Sequence, residues 1–109
     1  MSQAIMVPVT ITPDAADFIR ELALQDPFEQ MLEHAQLTIP GLYSFAVSLL
    51  PRYDEDKGAA VIIDATSADP FVKDNDVARQ WGRWQIERFP PDVWQHFTLF
   101  VYYVPAYAR

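Results

Sequence analysis

Cysteine is absent from the 109 residues. That excludes disulfides, thiol nucleophiles, thiolate-bound zinc and cysteine-held iron–sulfur clusters. Glycine is scarce: Gly41, Gly58 and Gly82 stand far apart, so no glycine-rich loop can cradle a phosphate. The only imidazoles are His34 and His96, and any histidine-based acid–base or metal chemistry has to use one or both. Cations are few as well. Eight Lys and Arg face fifteen Asp and Glu, for a net charge of −7. Phosphate backbones and anionic lipid repel such a chain at long range, so nucleic acid and membrane are not expected partners. No apolar run approaches the roughly 18 residues that would span a bilayer, and Met1 to Pro8 lack a charged start followed by an apolar stretch. A cytoplasmic protein is the expectation.

What is present is a foldable core. Apolar residues make up 50% and aromatics 14% of the chain, enough to offset the conformational entropy of one domain, expected to span 1–109. Nine of the fifteen aromatic residues lie between Trp81 and Tyr107, so the last third should supply much of the packing. Thirteen of the fifteen acids lie in residues 1–78. No internal repeat, low-complexity tract or linker divides the chain.

Local patterns predict the order β, α, β, β, α, β. Residues 4–11 are β-branched and strand-like, but Pro8 lacks an N–H and points to an edge or an interrupted ladder. Thr12-Pro13-Asp14 combines an N-cap hydroxyl, proline in the first turn and an acid at the positive helix end. Apolar residues then recur at helical spacing from Ala15 to Ala23. Asp26-Pro27-Phe28-Glu29 repeats the start signal with Asp26 as cap, implying two consecutive helices or one kinked helix, closed by Pro40-Gly41. Tyr43, Phe45, Val47 and Leu49 alternate with Ser44, Ala46 and Ser48, as in a strand with one buried face. The polar stretch 51–58 separates it from the apolar run Ala59 to Ile63, the pattern of a hairpin. Asp74-Asn75-Asp76 offers caps for a helix that ends before Pro90-Pro91, residues 92–96 fit one helical turn, and Thr98 to Val104 form a strand apolar on both sides.

This order matches the ferredoxin-like sandwich of the α+β class. That topology, however, puts the first strand in the sheet interior, where Pro8 is unwelcome. The alternative is an antiparallel sheet with the first strand at its edge and the helices on one face.

Candidate chemistry is sparse. No catalytic constellation and no metal-ligand spacing appears, and no cofactor is implied. Asp54 to Gly58 suggests a calcium loop, but counting from Asp54 the positions that need Gly and Glu hold Ala59 and Ala65. Asp64 interrupts an apolar strand, and a buried carboxylate must be paired or hydrogen-bonded. His96 has Asp92 one turn upstream, an arrangement that can fix a tautomer. Arg79, Arg83 and Arg88 interleave with Trp81 and Trp84, a pattern able to stack on bases or clamp phosphate. Asp64, Arg83, His96, Trp81 and Trp84 are therefore the candidate ligand-binding residues, in a pocket between the sheet and the 75–88 helix. Trp94, Tyr103 and Tyr107 are the candidate interface residues, because tryptophan and tyrosine anchor protein contacts. The poor catalytic inventory and the two-sided final strand favour a non-catalytic interaction or regulatory module, pairing with itself or another protein. The alternatives are a small-molecule-binding domain or simple enzyme using that pocket, and an acidic inhibitor or immunity-type protein presenting carboxylates to a basic partner.

Overall fold

A computed structural model describes residues 5–51 and 59–105. The acidic tip at 54–58 and Tyr107 lie outside the described residues. Strand β1 (Val9–Ile11) leads into helix α1 (Pro13–Glu21). The Thr12 hydroxyl and the Asp14 carboxylate both accept the Ala15 N–H, at 3.4 and 2.9 Å, satisfying a first-turn donor that has no partner within the helix. Helix α2 (Gln25–Thr38) follows as a separate helix, with no side-chain cap. It begins at Gln25, so Asp26 sits in the first turn instead of capping it. Pro27 is then harmless, because first-turn nitrogens have no helical acceptor.

Strands β2 (Leu42–Pro51) and β3 (Ala59–Ser67) form an antiparallel hairpin, and helices α3 (Val77–Arg88) and α4 (Pro91–Trp94) carry the chain to β4 (Phe97–Tyr103). A single 3-10 turn at Val72–Asn75 precedes α3, whose first residue follows Asp76 in a left-handed conformation with φ of 54°. The sheet runs β1-β2-β3-β4, with β1 parallel to β2 and β3 parallel to β4. It is a mixed sheet in a single α+β domain.

The ferredoxin-like expectation fails on this order. A split βαβ unit inserts another strand between its two parallel strands, whereas here each parallel pair is directly hydrogen-bonded. The first strand lies at the edge and the helices cover one face, as in the alternative reading, although only the central pair is antiparallel. Pro8 accounts for the edge position. Its carbonyl accepts the Phe45 N–H at 2.9 Å, but its nitrogen has no proton to extend the ladder upstream.

One set of alternate strand residues, Phe45, Val47, Val61, Ile63, Ala65, Phe97 and Leu99, joins Ala15, Ile19, Phe28, Met31, Leu32, Ala35, Val77 and Trp81 in one buried cluster. All the longer helices therefore pack on the same sheet face. The crossovers from β1 to β2 and from β3 to β4 step the same way across the sheet, yet their strands run in opposite directions. With helices on one face, the two crossovers must have opposite hands. One is the left-handed kind that parallel βαβ connections rarely adopt.

The described residues leave the opposite face open, in that none of their helices covers it. It presents Thr10, Ser44, Ala46, Ser48 and Leu50 from β1 and β2, Ile62, Asp64 and Thr66 from β3, and Thr98, Phe100 and Tyr102 from β4. Phe100 and Tyr102 are each 45% exposed.

Candidate functional site

The two sheet edges differ. β1 is three residues long and lies between Pro8 and Pro13. β4 is seven residues long and contains no proline and no charge. Short, proline-flanked edges resist pairing with other chains, while long apolar edges invite it.

The ladder phase of β4 fixes which of its groups are free. Val61 N–H donates to the His96 carbonyl and Val104 N–H to the Ser67 carbonyl, so the even-numbered residues of β4 bond to β3. The odd-numbered ones, Phe97, Leu99, Val101 and Tyr103, direct their N–H and C=O groups away from the sheet. One of these groups is occupied: the buried Gln85 amide donates to the Phe97 carbonyl at 3.3 Å and to the Trp94 carbonyl at 3.1 Å. Leu99 and Val101 have no such partner among the described residues. Gln85 thus closes the edge at its start and leaves the middle open.

Beside this edge runs a groove of about 430 Å³, walled by Gly82, Gln85 and Ile86 of α3, Trp94 of α4, and Phe97 and Leu99 of β4. A second hollow of about 240 Å³ continues it past Ala78 toward Asp76 and Val101. Gly82 leaves open space where a side chain would stand, which widens the groove. Among the described residues, no ionisable side chain lines the larger hollow.

The candidate ligand residues do not converge. Trp81 is 2% exposed, with its indole N–H donating to the Met31 carbonyl at 3.0 Å, and of these candidates it alone lines the groove between α3 and β4, where the sequence suggests a pocket. Trp84 stacks flat on His34 at a ring separation of 3.9 Å and meets the Phe89 ring edge-on at 5.6 Å. Partial burial, which disfavours the charged form, holds the His34 imidazole below its ordinary pKa. Arg83 is exposed on α3, while Arg79 faces Asp76 at 3.9 Å and Arg88 bonds Gln30 at 2.9 Å. The helix's flanking arginines are thus drawn toward the protein's own groups. His96 packs edge-on against Phe18 at 5.6 Å, and among the described residues no ion pair joins it to Asp92. Of the interface candidates, Trp94 is half-buried in the groove wall and Tyr103 is 41% exposed at the end of β4.

Asp64 lies on the open face between Ala46 and Phe100. Its Oδ1 is buried without a hydrogen-bond partner. Burial raises the carboxyl above its ordinary pKa of 3.8, and a hydrogen bond from Tyr102 offsets part of that rise. The fold therefore disfavours the ionised form. For this group, stability is greatest below pH 3.8 and declines as pH rises through the folded value. Asp64→Asn is expected to stabilise the protein at pH 7 by a fraction of about 1 kcal/mol, given solvent screening at a half-buried site. The gain should vanish in urea titrations under acid conditions that protonate the wild-type group, and an equal gain at both pH values would refute the assignment.

Gln85 is not legible as a site residue from local pattern, although one signal is present: it falls one turn after Trp81 on the buried stripe of α3, a polar residue in an apolar row. Among the described residues, no group of three metal-binding side chains occurs, and no helix is long and apolar enough to cross a membrane. No protein-family model, curated protein or solved structure matches the chain.

Proposed function

We propose that the protein is a non-catalytic interaction module that works by self-association. The observation that supports this best is the contrast between its two sheet edges: β1 is short and proline-flanked, while β4 is long, uncharged and, among the described residues, unpaired at Leu99 and Val101. Phe100, Tyr102 and Tyr103 add exposed aromatic surface at the same margin. Aromatic residues around a backbone edge are the usual material of strand-addition interfaces.

The chemistry of the groove points the same way. Its volume is that of a small-molecule site, but among the described residues its walls offer amide, aromatic and aliphatic surface with Thr98 as the one hydroxyl and no titratable group to activate it. Asp64 and His96, the groups best suited to acid–base work, stand elsewhere. A small-molecule role keeps support from the groove's size alone, and a thermal shift with an apolar ligand would favour it.

Sedimentation equilibrium from low to high micromolar concentration tests the main reading. A concentration-dependent dimer is expected, with a melting temperature that rises with protein concentration. A monomer throughout that range overturns self-association.

A further inference from the structure

Resting on that self-associating reading, we infer that two copies join through β4, antiparallel about a two-fold axis at Phe100, to make one continuous eight-stranded sheet. Each free backbone group on the edge has its complement on a second copy of the same edge. Only the odd-numbered residues of β4 direct N–H and C=O outward, so hydrogen-bonded pairs across the new junction must join odd residues to odd residues. Centring the axis on Phe100 pairs all seven residues of β4. Leu99 then lies opposite Val101 of the second copy, and Val101 opposite its Leu99. Each of these pairs exchanges two hydrogen bonds, four in all, using the groups that lack partners among the described residues. Moving the axis to Leu99 or Val101 keeps the odd-to-odd rule but shortens the overlap.

Side chains fit the same register. Phe100 meets its own copy as a non-hydrogen-bonded pair, where Cα atoms approach to about 4.5 Å and aromatic pairs are favourable. Thr98 faces Tyr102 of the second copy, partly covering a ring that is 45% exposed in the single chain. No charge occurs between Phe97 and Tyr103, so the junction sets no like charges opposite each other despite the net −7 of each copy. Exposed area adjoins the edge as well. At 150–250 Å² for a whole aromatic side chain, the exposed parts of Phe100, Tyr102 and Tyr103 come to roughly 260 Å² per copy, about a third of the ~800 Å² per partner of a standard interface. The backbone of the edge and the walls of the adjoining groove are available for the remainder.

A proline variant and a pair of cysteine variants test the register. Val101→Pro removes an outward N–H and no bond to β3, so the fold should persist by circular dichroism while self-association weakens by at least about tenfold. Phe100→Cys places the chain's only thiol on the axis. Two such thiols belong to residues within the 4.4–6.8 Å Cα separation that a disulfide requires, so mild oxidation should cross-link the dimer rapidly. Thr98→Cys, displaced from its own copy, should cross-link far more slowly. Rapid cross-linking of Phe100→Cys together with loss of the dimer in Val101→Pro supports the register. The β4 junction is overturned, with self-association left standing, if the dimer survives Val101→Pro and Phe100→Cys cross-links no faster than Thr98→Cys. A wild-type monomer overturns both.

Discussion

Replacing Trp81 by alanine is expected to lower stability by about 4 kcal/mol, the middle of the range for removing a buried aromatic. The indole sits between α2, α3 and the sheet at 2% exposure, and its N–H is the partner of the Met31 carbonyl in the middle of α2. Alanine leaves a cavity too large for the neighbours to fill and removes that donor. For a domain of this size the loss corresponds to a fall in melting temperature of about 20 °C or more. Trp81→Phe separates the two contributions, since it keeps most of the apolar volume and removes only the hydrogen bond and part of the ring. Its loss should be about 1–2 kcal/mol. Urea denaturation of both variants checks the result, and equal losses would mean that the hydrogen bond, not the packed volume, dominates at this site.

Gly41→Ala should be nearly as damaging, for a reason unrelated to hydrophobic burial. Gly41 has φ of +68°, and a Cβ there would stand 2.8 Å from the Asp69 nitrogen and 3.0 Å from the Ser67 hydroxyl. That hydroxyl is fully buried, donates to the Pro40 carbonyl at 2.5 Å and accepts the Asp69 N–H at 3.0 Å, while the Gly41 carbonyl accepts the Ala68 N–H at 2.9 Å. The turn into β2 and the exit from β3 are therefore one hydrogen-bonded knot. The left-handed conformation costs a residue with a Cβ about 1 kcal/mol, and displacing the buried hydroxyl adds about 1–3 kcal/mol. A total loss of roughly 2–4 kcal/mol is expected in urea denaturation. Ser67→Ala offers a comparison, because it removes the hydroxyl without the clash. If Gly41→Ala costs no more than Ser67→Ala, backbone conformation contributes nothing at this turn.

The sequence and the structure agree most where periodicity is strong. Phe45 and Val47 alternate with the small residues Ser44, Ala46 and Ser48 and face the core, and Thr12-Pro13-Asp14 starts α1 at the expected place. The same local rules mislead at Asp26. The chain leaves α1 through Ala23 with φ of 55°, and this reversal sets the start of α2 at Gln25, ahead of the better capping side chain. Strand order is beyond local pattern altogether, since the succession of elements suits several sheets and only Pro8 carries a hint of which one forms. Trp81 and Trp84 share one helix and one residue type, yet one fills the core and the other stacks on His34 near the surface. Three positions leave the two side chains only about 60° apart around the helix, so a sequence pattern cannot say which tryptophan the sheet will cover. Gln85 and Ser67 escape local reading because their roles depend on carbonyls brought close only by the tertiary fold.

The opposite hands of the two crossovers bear on how such a chain could have arisen. Its element order reads as the same βαβ phrase spoken twice, which would ordinarily suggest duplication and fusion of a half-length ancestor. Copies of one ancestral unit keep its chirality, and no rotation carries a right-handed crossover onto a left-handed one. The two halves cannot be superimposed as continuous traces, so the repetition in the order of elements is not ancestry preserved in three dimensions. A search for the origin of this domain should compare the chain as a whole, because neither half is a template for the other.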